Sequence, residues 1–229
     1  MKNKPTRTPL RLSPVHSELR SLLGTWQNVN GMPTLMTVAT PIEHQLKTLA
    51  LADVSCLMRT GVKGAGAAKW LQEQGIVDLP VPNSWQPLVD GGLIARLGFT
   101  EFLIEDGWHS QTVSRLNENQ SRAKGSLPAK VYPILRQDLA IILWGKLVPD
   151  LFQQTCNVNV RALNLANRPI VVTSMIGVAV TILADERNGL PFYRLWYDGT
   201  FGIYVWKTLL SIVQELGGDV IGFAQIEHR

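Results

Sequence analysis

Gly64-Ala-Gly-Ala-Ala-Lys-Trp-Leu-Gln72 and Gly145-Lys-Leu-Val-Pro-Asp-Leu-Phe-Gln153 read as two versions of one local program. Each follows an apolar strand candidate, Cys56 to Val62 in the first case and Asp138 to Trp144 in the second. Glycine permits a sharp turn out of the strand. The large pairs Trp70-Leu71 and Leu151-Phe152 then pack a helix onto a sheet. The element order around both stretches agrees. The sequence therefore predicts an α+β fold of two strand–helix–strand–strand halves, pseudo-repeats over about 50–115 and 131–218, packed as one unit.

Working outward, a helix is expected over Gly66 to Gln74, with Gly75 as its left-handed cap. Gly92 to Leu97 and Glu101 to Glu105 read as a hairpin. In the second half a helix opened by Pro149 precedes strands at Ile170 to Met175, Val178 to Leu183 and Phe192 to Tyr197. A last helix over Ile203 to Leu216 carries Val205, Leu209, Val213 and Leu216 on one face and stops at Gly217-Gly218. Residues 1–45, with Pro5, Pro9, Pro14, Pro33 and Pro41, read as an irregular basic arm, and 46–229 as the folded domain. Residues 117–130 are polar and read as an internal disordered loop.

Composition describes an ordinary globule, with 45% hydrophobic and 17% charged residues and a net charge of +4. Lys2, Lys4, Arg7, Arg11 and Arg20 concentrate positive charge at the amino end, where it can dock on an acidic partner or remain solvated. Cys56 and Cys156 lie in apolar stretches and read as buried thiols of a reducing compartment. The amino end has no continuous apolar core of a leader, and the run Ile170 to Ala184 is too short and polar to span a bilayer. A cytoplasmic protein without membrane or nucleic-acid partners is expected.

Motifs for chemistry are sparse. His16, His44, His109 and His228 stand singly, so no metal site is expected. There is no G-x-S-x-G elbow. Gly61-Val-Lys-Gly-Ala-Gly66 matches no phosphate-loop pattern and reads as a tight turn. The carboxylate pairs Glu105/Asp106 and Asp185/Glu186 read as solvated turns at strand ends. Trp26, Trp85 and Trp108 lie in or near predicted loops and are candidate partner-interface anchors.

Set side by side, these stretches resemble the folate-binding domain of glycine-cleavage T-proteins, the aminomethyltransferase family. Asp53-Val-Ser55, Arg59-Thr-Gly-Val-Lys-Gly64 and Ala67-Ala-Lys-Trp-Leu71 are similar to its opening segment. Gly91-Gly-Leu-Ile-Ala-Arg-Leu97 resembles its Gly-Gly hairpin, and Asp198-Gly-Thr-Phe-Gly-Ile-Tyr204 its Gly-Phe-Glu-Ile-Tyr segment. The resemblance implies a folate-binding-domain-like unit. It also implies a carboxylate where Ala95 stands and another where Gly202 stands, the first near the reacting centre and the second gripping the pterin. An alanine methyl offers no general base, and glycine offers a pterin no bidentate acceptor.

The hairpin, the Glu101-Phe-Leu that follows it and the Tyr193-Arg-Leu-Trp196 run are closest to the gamma subunit family of heterotetrameric sarcosine oxidase. That resemblance implies a non-catalytic subunit, a pseudoenzyme, assembling with a larger amine-oxidising oxidoreductase or one-carbon enzyme. The alternative is a standalone tetrahydrofolate-binding aminomethyltransferase-like protein or folate-dependent cluster-repair factor. In that case Lys63, Arg96 and Arg194 supply cations, and Trp196 and Tyr204 stacking surfaces.

Overall fold

The computed structural model describes residues 11–39, 41–122 and 128–227 of the chain. A helical turn, α1 (His16–Leu19), leads into a hairpin, β1 (Gly24–Val29) and β2 (Met32–Val38). Helix α2 (Glu43–Thr48) precedes β3 (Ala50–Asp53), β4 (Arg59–Lys63) and α3 (Ala67–Glu73). A meander follows, β5 (Ser84–Pro87), β6 (Leu93–Arg96) and β7 (Glu101–Glu105), ending in α4 (Thr112–Arg122). Next come β8 (Tyr132–Ile134), β9 (Leu139–Trp144) and α5 (Val148–Thr155). A second meander, β10 (Ile170–Met175), β11 (Val178–Arg187) and β12 (Leu190–Tyr197), leads into α6 (Gly202–Glu215). The described chain closes with β13 (Asp219–Val220) and α7 (Ala224–Glu227).

Two main sheets result, in strand orders β5-β6-β7-β4-β8 and β10-β11-β12-β9-β3-β13. The register explains the layering. Along β9, Leu139, Ile141 and Leu143 enter one apolar cluster with Val205, Trp206 and Leu209 of α6 and Leu151 and Phe152 of α5. The alternate residues Ala140, Ile142 and Trp144 enter a second cluster with Leu93, Ala95 and Leu103 of the other sheet. Beyond that sheet, Val62, Ile94 and Phe102 pack on Trp70 and Leu71 of α3 and Val113 and Leu116 of α4. The layers run helix, sheet, sheet, helix. A strand covered on both faces must be apolar throughout, which is why Leu139–Trp144 carries no polar residue.

Each half sends its leading strand into the other half's sheet. β3 precedes β4 in the chain but pairs with β9, whereas β8 precedes β9 but pairs with β4. Gly64 and Gly145 sit at the two crossings, with φ of 114° and 133°. A Cβ at Gly64 would lie 2.1 Å from the Lys130 carbonyl oxygen, and one at Gly145 would lie 2.5 Å from that of Thr48. Only glycine fits either turn.

The stretch expected to be irregular before residue 46 is corrected by the hairpin β1–β2. Asn30 and Gly31 both have positive φ between the paired Val29 and Met32, the two-residue turn that Asn-Gly favours. Arg11 is also not a free arm: its guanidinium donates to the carbonyls of Ser55 at 2.9 Å and Cys56 at 3.1 Å. Lys2, Lys4 and Arg7 lie outside the described residues, as does His228. Of the polar loop expected over 117–130, Asn117 to Arg122 instead continue α4, and residues 123–127 lie outside the described residues. Val113 and Leu116 anchor that helix in the core, and Ser114, Arg115 and Glu118 lie on its exposed face. No described helix is long and apolar enough to cross a membrane.

Candidate functional site

The strands bring one buried polar cluster together between the two sheets. β4 and β7 place Arg59 directly opposite Glu105, and Arg59 Nη1 donates to Glu105 Oε2 at 2.8 Å. From the facing sheet, β12 contributes Arg194, which pairs with Glu105 Oε1, and Trp196, whose Nε1 donates to Oε2 at 2.7 Å. Glu105 has no solvent exposure, and Arg59, Arg194 and Trp196 are all buried. Such a carboxylate is tolerable inside a protein because several donors replace its lost water.

The second guanidinium charge is answered nearby. Arg59 Nη2 donates to the carbonyls of Ser55 at 3.0 Å and Asp138 at 3.3 Å, and Arg59 Nε stands 3.9 Å from Asp138 Oδ2. Burial pulls the Arg59 pKa below its usual value, opposed by Asp138 and Asp53. Asp53 accepts from Ser55 N at 3.0 Å and from Ser55 Oγ at 2.5 Å. The same Oγ accepts from Ala140 N at 3.0 Å, tying the Asp-x-Ser turn to β9. Burial pushes the Asp53 carboxyl above the ordinary range, opposed by hydrogen bonds from Ser13 and Ser55. Burial likewise pushes the Cys56 thiol up to about 12, which suits a core cysteine rather than a nucleophile. Cys156, expected to be buried, is only partly so.

The candidate folate-binding residues are not brought to one surface. Arg194 and Trp196 meet, but on Glu105, an internal partner. Lys63 is exposed at the end of β4. Arg96 donates to the carbonyls of Pro80 at 3.2 Å and Phe99 at 2.7 Å and lies over the Phe102 ring. Tyr204 is half exposed on α6, its hydroxyl donating to the Ile176 carbonyl at 3.0 Å. Trp26 and Trp85 lie in strands rather than loops. Trp26 packs edge-on to His16, Trp85 Nε1 donates to the Ala184 carbonyl at 3.2 Å, and Trp108 stacks on His109 and meets Phe223 edge-on. All three are partly buried by their own chain. Among the described residues, no group of three or more His, Cys, Asp and Glu is placed to hold a metal ion.

The reading of Glu105/Asp106 as a solvated turn is corrected: both are buried. Strand parity held the signal. Glu105 follows Leu103 by two residues and therefore faces the same apolar layer. Ala95 sits opposite Leu103 in that layer with no exposure. Gly202 is buried under the amino-terminal segment, and a Cβ there would lie 2.7 Å from Pro14 Cβ.

No family model and no curated protein matches the sequence. Among solved structures, the chain is similar to the glycine cleavage system aminomethyltransferase T from Bartonella henselae, with a TM-score of 0.72 at 12% identity. That match covers 94% of this chain but only 60% of the aminomethyltransferase. It is also similar to a chain of the heterotetrameric sarcosine oxidase from Corynebacterium sp. U-96, solved with pyrrole 2-carboxylate. There the TM-score is 0.64 at 18% identity, covering 92% of this chain and 98% of that one. The two likenesses together establish the architecture: this chain has an aminomethyltransferase-like fold.

Proposed function

We propose that the chain is a non-catalytic, folate-domain-like subunit that assembles with a larger amine-oxidising or one-carbon enzyme. The observation that carries this reading is the occupation of the two positions where the resemblance calls for carboxylates. Ala95 is shut inside the layer between the sheets, and Gly202 lies beneath Pro14 with no room for a side chain. Arg194 and Trp196, the cation and one stacking surface of the folate-binding alternative, are held by Glu105 instead. Near-complete coverage of one chain of a heterotetrameric enzyme supports a subunit role. The exchanged leading strands and the matched glycine turns support an origin of the fold by duplication of one half.

Purification of the tagged protein from its native host, with mass spectrometry of what accompanies it, tests the reading. A larger enzyme subunit in stoichiometric amount is the expected result. Recovery of the chain alone at every salt concentration would overturn it. Titration of the isolated chain with tetrahydrofolate, followed by tryptophan fluorescence, tests the other reading. Saturable micromolar binding would replace the subunit interpretation with that of a folate-binding protein.

A further inference from the structure

Beside the Glu105–Arg194 pair, the space between the sheets widens into a cavity of about 250 Å³. One wall comes from β11 and β12, with Asp185, Arg187 and Phe192. The other comes from β5 and β6, with Trp85 and Leu93, and the Gly91-Gly92 turn forms its rim. Asp185 and Arg187 are two residues apart on one strand and so face the same way, with Glu186 pointing outward. Both are partly buried, and among the described residues neither makes an ion pair within 4 Å of another side chain, although Arg187 and Arg168 act on the Asp185 charge through space. Arg187 lies over the Phe192 ring at 4.1 Å, and the Asp106 carboxylate at the rim is held by Val113 N at 3.0 Å.

The charge pattern selects the ligand. A simple anion would face Asp185, Asp106 and Glu105, and a simple cation would face Arg187 and Arg194. A molecule with both charges close together satisfies each, its carboxylate on the Arg187 fork and its ammonium on Asp185. Sites for drug-sized ligands begin at about 300 Å³, so this cavity suits something smaller. Trp85, Leu93 and Phe192 leave room for a short apolar side group. We infer that the cavity binds a small zwitterion of the amino-acid class. This site is separate from the claim of subunit assembly and stands or falls without it.

Calorimetric titration of the full chain with glycine, alanine, proline and phenylalanine tests the inference, with propionate and ethylamine as single-charge controls. At least one amino acid should bind saturably, and both controls should bind about tenfold more weakly or worse. Arg187→Gln and Asp185→Asn should each weaken binding by about tenfold or more at unchanged melting temperature, whereas Glu186→Gln should leave it as in the wild type. Absence of saturable binding by all four amino acids would overturn the inference. So would controls that bind as tightly, or Arg187 and Asp185 variants that bind like the wild type.

Discussion

Glu105 receives two guanidinium groups and an indole N–H, so its replacement leaves three buried donors facing an uncharged partner. Glu105→Gln is expected to destabilise the fold by about 3–5 kcal/mol, the usual cost of breaking a buried pair from one side. Urea denaturation monitored by circular dichroism measures it. Asp53 predicts a pH dependence. Its carboxyl is raised by burial, so the stability linked to its protonated form is complete below the unfolded pKa and is lost as pH rises through the folded pKa. Asp53→Asn keeps an acceptor for Ser55 without the charge. Its stability relative to wild type should therefore improve as pH rises from the acid range toward neutrality; a difference independent of pH would refute the shift. At this scale the sequence was only partly legible. Arg194 and Trp196 were read from the sequence as a cation and a stacking surface for folate, but their partner Glu105 comes from a strand of the opposite sheet. No local pattern encodes that meeting.

Elements were legible wherever a short-range signal and a buried face agreed. Helix α3 ends at Gly75 with φ 88°, and α6 ends at Gly217 with φ 77°, as their glycines require. The hairpin β1–β2 escaped because Pro33 argued for irregularity, although Asn30-Gly31 carried the turn signal. Glycine turns offer a graded test. Gly145→Ala and Gly177→Ala both force alanine to positive φ, costing about 1–2 kcal/mol. Only Gly145 also meets backbone, at Thr48, adding about 1–3 kcal/mol of overpacking. Thermal unfolding of the two variants should rank them in that order. Restoring the acid at the start of α6 tests the segment above it. Gly202→Glu should displace Pro14 and its neighbours, which limited proteolysis would register as faster cleavage between Arg11 and Val15 at a modest loss of melting temperature.

For the whole molecule, the α+β class followed from apolar strands that run into amphipathic helices, but the order of layers and the strand exchange did not. Which sheet receives β3 or β8 depends on contacts far apart in the chain, and a four-residue or three-residue strand carries no address in its composition. Because each sheet contains a strand from the other half, neither should persist alone. Residues 1–127 and 128–229 expressed separately should each fail to give a cooperative unfolding transition, and together they should reconstitute one. The intact chain should unfold in a single step, with fluorescence and circular dichroism coincident. The same interlocking has a mechanical meaning. If a protease severed the connection between α4 and β8, the two pieces would stay hooked through β3 and β8. The nick would be seen on a denaturing gel and go unnoticed in a native one.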